Sequence, residues 1–150
     1  VSGRIEGLDE TLEAFARLGK AGSREGAKAV AATAQKVRGD AIKSVKRGAK
    51  SGTVYTRPPG QNLSPRHQAS APGQAPATDT GNLVSSIKAE SKGLSGRVYS
   101  DIKYAFWLEF GTLKMEPRPF LNPALMGNQQ YFVDQLTKAI TRATEDFNRS

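Results

Sequence analysis

Tyr104-Ala-Phe-Trp-Leu-Glu-Phe-Gly-Thr112, followed closely by Arg118-Pro-Phe-Leu-Asn-Pro-Ala-Leu125, is the stretch that decides how this chain is read. Together the two segments hold the only tryptophan and three of the six phenylalanines. One carboxylate, Glu109, interrupts the apolar part, Gly111 closes it, and Pro117, Pro119 and Pro123 stiffen the chain beyond that glycine. No pair of acid–base groups sits there. The pattern is that of a rigid apolar anchor with a fixed turn, suited to a packed core or a permanent subunit contact. Periodicity over so few residues leaves Tyr104–Phe110 open between a helical turn and a buried strand.

Working outward, residues 121–148 read as a closing helix with Leu121, Leu125, Phe132, Leu136, Ile140 and Phe147 as its stripe. Pro123 suits its first turn, where a missing amide donor costs little. Upstream, residues 85–92 read as a strand with Ile87 and Ala89 on one face. A hairpin loop at Gly93–Gly96 leads to a return strand, Arg97–Ile102, with Val98 and Ser100 alternating against Arg97 and Tyr99. Asp79 or Thr80 is placed to cap a single turn before that hairpin, and Asp101 to cap at its end.

Residues 48–80 change character. Five of the eight prolines fall here, and large apolar side chains nearly vanish. A structureless loop this long is normally functional or disordered. We expect an arm that orders on a partner, within a single domain spanning 1–150, because neither side of it holds a full core. Before the arm, residues 8–18 read as a short amphipathic helix ended by Gly19 and Gly22. Ser23 then caps a long helix to about Arg47 with the inner stripe Ala27, Val30, Ala34, Val37, Ala41 and Val45. Small side chains along that stripe let another backbone approach closely. Gly39 is a candidate bend. The fold class is therefore α+β: a long helix and a C-terminal helix packed on a small antiparallel sheet, with a long Pro-rich loop.

At 37% hydrophobic the core is modest, and the net charge of +8 permits nucleic acid, anionic membrane or acidic protein as a partner without choosing among them. No cysteine is present, so disulfides and thiolate metal sites are excluded, and a reducing compartment fits. The longest apolar run, Tyr104–Leu108, is far short of the roughly 20 residues that span a bilayer. The start of the chain shows no apolar signal region. The plain reading of these features is a soluble cytosolic protein, and no membrane span is expected.

Single motifs carry little chemistry. Glu109, flanked by apolar residues, should meet a cation (Arg118, Lys103 or an arm arginine) or backbone donors, within the chain or across a subunit contact. Arg118-Pro-Phe120 either fixes the approach to the last helix with Phe120 in the core, or presents Arg118 to a neighbour with little entropy lost. His67 is the only histidine and has no carboxylate near it in sequence, so a metal site or catalytic triad is not supported. No glycine pattern cradles a phosphate, and no cofactor is called for. Lys36, Arg38, Lys43, Lys46, Arg47 and Lys50 form a basic run opposed only by Asp40. It reads as a solvated face, a docking face for an acidic neighbour, or a non-specific contact with DNA. No zinc or helix–turn–helix pattern supports sequence-specific recognition.

The order of these features resembles a known family. Gly7-Leu8-Asp9 opens it. Ser70-Ala-Pro-Gly73 and Pro76 follow, then Asp79-Thr80-Gly81-Asn82-Leu83 with Ser86-Ile87. Tyr104-Ala105, Glu109-Phe110-Gly111-Thr112, Arg118-Pro119-Phe120-Leu121 and Pro123-Ala124-Leu125 complete the set. This is similar to the tail-completion, or head–tail joining, proteins of long-tailed double-stranded-DNA phages, of the lambda minor tail protein Z type. The resemblance implies a non-enzymatic virion protein of the neck or upper tail, assembled in the host cytoplasm. It would form a homo-oligomeric ring of six copies or a multiple, through which DNA passes. Its partners would be the head-connector or stopper and the tail-terminator or tail-tube proteins. Tyr55, Arg57, His67, Trp107, Glu109, Phe110, Arg118 and Phe120 are then the candidate contact residues, and Lys36, Lys43, Lys46, Arg47 and Lys50 the docking face. The alternative reading is a basic, non-specific nucleic-acid-binding protein.

Overall fold

The computed structural model describes residues 19–60 and 64–149. The helix expected at residues 8–18 lies outside them. The long helix α1 runs Gly19–Lys46. It has no internal proline, and its Ala, Lys and Gln content favours helix. Lys43 and Lys46 in the last turn suit the negative end of the helix dipole. Ser23 lies inside α1 rather than capping it, and Gly39 introduces no break. Val30, Ala34, Val37, Ala41 and Val45 are buried as their spacing requires, whereas Ala29 takes the place expected for Ala27.

The helix serves two cores. Ala29 and Val30 meet Phe132, Leu136 and Ala139 of the last helix. Ala34 through Val45 pack with Leu83, Ile87, Val98, Ala105, Phe120, Leu121 and Ala124. The β-structure that receives α1 is a hairpin, β3 (Ile87–Lys92) with β4 (Ser95–Ser100), in the register Ile87↔Ser100 through Lys92↔Ser95. The turn is the two residues Gly93 and Leu94, two shorter than expected. Val98 and Ser100 point inward, and Ser86 and Ser100 share a buried hydroxyl hydrogen bond of 2.7 Å. The short helix α2 (Asn82–Ser86) precedes β3. At its start the Thr80 hydroxyl accepts from the Asn82 amide at 3.4 Å.

The Pro-rich segment is not structureless. It holds a second antiparallel pair, β1 (Val54–Thr56) with β2 (Arg66–Gln68), so the protein has two separate two-stranded sheets among the described residues. Its return leg is tied to the body. The Thr78 hydroxyl donates to Val45 O at 3.0 Å, and the Gly73 amide to Pro117 O at 2.9 Å. Gly52 donates to Ala69 O at 2.8 Å, and a Cβ at Gly52 would strike the Ser70 carbonyl, so no other residue fits that crossing. Strands of three residues are too short to show a period, and these anchors are all long-range. That is why the segment reads as an unstructured arm in sequence.

The decisive stretch is a helix, α3 (Lys103–Phe110). Asp101 does not cap it; its carboxylate pairs with Lys88 across the hairpin. The closing helix is two helices, α4 (Leu121–Gly127) and α5 (Gln129–Arg149). The joint is Asn128, whose buried amide donates to Ala124 O at 2.8 Å and to Asp40 Oδ2 at 2.9 Å. Asn128 takes up the last carbonyls of α4 and ties the joint to α1. On α5 the inner line is Phe132, Leu136, Ala139 and Ala143, with Ile140 turned outward. The architecture is α+β, with long helices at both ends of the described chain.

Candidate functional site

Helix α3 divides into two faces. Ala105 and Glu109 are buried, with Leu108 packed against the core. The opposite face is apolar and uncovered: Phe106 is 54% exposed, Trp107 50% and Phe110 58%, and Leu113 beyond the helix stands entirely in solvent. Phe106 and Phe110, one turn apart, hold their rings at a centroid distance of 4.9 Å and a tilt of 50°. Positions 103, 106, 107 and 110 share one side of a helix, so Lys103 stands on the same face. Trp107 and Phe110 were expected in a core or a contact; the core reading does not hold for them. Phe106, Leu113 and half-exposed Tyr104 complete the surface. Their signal in the sequence is the helical spacing, visible once α3 is known to be a helix.

The buried side of α3 is locked. Glu109, only 4% exposed, accepts three backbone hydrogen bonds: from Phe120 N at 2.9 Å and Leu121 N at 3.0 Å on Oε2, and from Asn122 N at 2.7 Å on Oε1. These are the orphan amides at the start of α4, and Pro123 has none to add. A carboxylate there also meets the positive end of the helix dipole. Within the chain Glu109 makes no ion pair with Arg118, Lys103 or an arm arginine; its carboxylate is met by backbone amides instead. Phe120 is likewise core, not surface.

The turn after α3 is equally constrained. Gly111 adopts φ +76°, and a Cβ there would come within 2.7 Å of Met115 O. The Gly111 amide donates to Trp107 O at 2.8 Å, Thr112 and Met115 form a bridge, and the Arg118 amide donates to Leu108 O at 2.6 Å. Arg118 does not extend outward: it is half-buried, and its Nε donates to Ser70 O at 3.1 Å, joining the return leg of the arm to α3.

A cleft of about 830 Å³ lies between the β1–β2 pair and α3, lined by Tyr55, His67, Ser70, Tyr104, Leu108 and Arg118 among others. His67 and Arg57 converge on Asp79, with Nδ1 of His67 3.4 Å from Oδ1 and the Arg57 guanidinium on Oδ2. Sequence proximity does not reveal that acid, because Asp79 meets them only through the fold of the arm. Burial, with the Asp79 charge second, pushes the Tyr104 hydroxyl above its ordinary value. Tyr55 is exposed at the mouth. Among the described residues no cluster of three metal-ligating side chains occurs.

The basic run is less uniform than the sequence implies. Lys36 reaches Asp40 at 2.5 Å and Lys43 lies 3.7 Å from it. The Lys36 ammonium, then the Asn128 amide, hold the Asp40 carboxyl below its ordinary range. Arg38 donates to Ile87 O at 2.8 Å and is structural. Lys46, Arg47 and Lys50 are exposed and meet no carboxylate among the described residues.

An uncovered aromatic face on a helix braced by a buried carboxylate and a pinned turn suits contact with another protein. Comparison with known proteins agrees: a family model described as "Bacteriophage HK97-gp10, putative tail-component" matches residues 9–111, and the chain belongs to this HK97-gp10-like family. That is a phage tail family, coarser than the lambda Z type suggested by the motifs. The matched segment carries α1, the arm, both hairpins and α3 up to Gly111. No curated protein and no solved structure matches the chain. Among the described residues, no helix is long and apolar enough to cross a membrane.

Proposed function

We propose that this protein is a non-enzymatic structural component of the phage neck or upper tail that completes the tail and joins it to the head connector. Copies close into a ring around the DNA path, six or a multiple of six in keeping with tail symmetry. A closed ring needs two unlike patches on each copy, repeated around an axis. The observation that carries the reading is the α3 face. Three half-exposed aromatics and Leu113 present on the order of several hundred Å² of apolar surface, a size that in a lone protein marks an interaction site. The bracing by Glu109 and Gly111 means little conformational entropy is lost when that surface is covered.

The test is direct. The purified protein is mixed with tails isolated from a phage lacking it, then followed by light scattering and negative-stain imaging. Added protein is expected at one end of the tails, with head joining restored. Failure to associate with tails overturns the proposal. A second reading, non-specific DNA binding, draws on exposed Lys46, Arg47 and Lys50. It requires duplex affinity that falls steeply with salt.

A further inference from the structure

A second uncovered apolar face lies on α5. Val133, Thr137, Ile140 and Thr144 fall in one helical line, about 16 Å long at the α-helical rise. Val133 is 49% exposed and Ile140 39%. The threonines do not make this line polar. Thr137 Oγ1 donates to Val133 O at 2.9 Å and Thr144 Oγ1 to Ile140 O at 2.9 Å. Beside them Thr141 Oγ1 donates to Thr137 O at 3.1 Å. Each hydroxyl is satisfied within the helix, so the outward groups are methyls. The result is an uncharged, β-branched ridge next to the buried line Phe132, Leu136, Ala139 and Ala143.

We propose that the aromatic face of α3 in one copy docks on this ridge of α5 in the next copy of the chain; this rests on the ring reading above. The two surfaces are unlike, as a closed ring demands. One offers protruding rings, the other a shallow row of methyls. Charge agrees at the margins. Exposed Lys103 stands on the α3 face and Lys114 just beyond it. Asp134 borders the ridge, bound only by Gln130 Nε2 at 2.9 Å among the described residues. Docking places lysine against that unneutralised carboxylate. Helix α5 packs chiefly on α1, and both surfaces stand exposed within one copy.

The absence of cysteine makes the test clean. Lys103→Cys and Thr137→Cys are made singly and together, checked for folding by circular dichroism, bound to tails lacking the protein, and treated with a short bismaleimide. The double variant is expected to give a ladder of cross-linked oligomers. A mixture of the two single variants should give dimers that each contain one of each kind. Dimers from Lys103→Cys alone would mean that α3 meets α3, and would overturn the pairing. Protein that joins tails without a ladder overturns the pairing and leaves the ring reading standing. Protein that neither joins tails nor cross-links overturns both.

Discussion

Glu109 and Phe120, eleven residues apart, are joined by a 2.9 Å hydrogen bond from the Phe120 amide to the Glu109 carboxylate, and this contact fixes α3 to the start of α4. The same carboxylate serves Leu121 and Asn122. Removing it leaves three amides without a partner, two of them buried. Charged hydrogen bonds and buried orphan donors each carry roughly 1.5–3 kcal/mol, and the three are not additive. Glu109→Ala is expected to cost about 3–4 kcal/mol in urea unfolding. Glu109→Gln should cost less, because its one carbonyl oxygen retains part of the set. Equal stability for wild type and Glu109→Ala would contradict the clamp.

Asn128 is the second joint. Its amide holds Ala124 O and Asp40 together while α4 hands over to α5. Asn128→Ala orphans a buried carbonyl and one partner of Asp40, a loss of about 1–2 kcal/mol. Asn128→Asp should be worse than Ala at neutral pH, since it sets a second carboxylate against Asp40. Thermal melts of the two variants compare the costs.

Much of this fold was legible in the sequence, and the misses share a cause. Val30, Ala34, Val37, Ala41 and Val45 announce their burial because a long helix repeats its signal over many turns. Ile87 and Val98 do the same for the hairpin by alternation. Features resting on a single long-range contact leave no such trace. Asn128 looks like an ordinary helix residue until its amide is seen on Asp40. His67 looks isolated until the arm brings Asp79 to it. Trp107 and Phe110 were legible as important but not as exposed. Composition alone does not tell a core aromatic from one kept for a partner; Glu109 decides it, by claiming the inner side of α3.

Acid should weaken the α1 packing with a defined sign. Lys28 first, with Arg24, holds buried Glu25 below its ordinary value, and Lys36 and Asn128 do so for Asp40. Both carboxyls bind protons less readily folded than unfolded. The stability they supply is complete above the unfolded values and is lost as pH falls through the lower folded ones. Urea midpoints should be flat from neutrality to about pH 5, where carboxylates remain ionised, and decline below it. Asp40→Asn should lower stability at neutral pH and flatten part of the acid decline. A midpoint rising toward acid would contradict this assignment.

Trp107 reports on assembly without a label, being the only tryptophan and half-exposed. In the free protein its emission should be red-shifted and readily quenched by acrylamide. On joining tails it should shift to the blue and resist quenching. Phe106→Ser and Phe110→Ser should leave unfolding within about 0.5 kcal/mol of wild type, as for other surface changes. They should weaken tail association at least about tenfold, as expected at the centre of an interface. Unchanged Trp107 emission on tails that have demonstrably taken up the protein would remove α3 from the contact.

Lys43, Lys46 and Arg47 separate docking from DNA binding. If the basic end of α1 grips the genome, duplex affinity should fall linearly in log–log terms with salt, with a slope near the number of phosphates neutralised. Reversing the three charges should then abolish duplex binding while tails are still joined. If that end docks on an acidic neighbour, the same variant keeps its α3 contacts, cross-links between copies, and fails only at joining to the head. We expect the second outcome. A strongly basic surface lining a conduit would retard the DNA passing through it, whereas rim charges facing a partner speed encounter and set orientation. Loss of duplex binding with head joining intact would reverse that assignment.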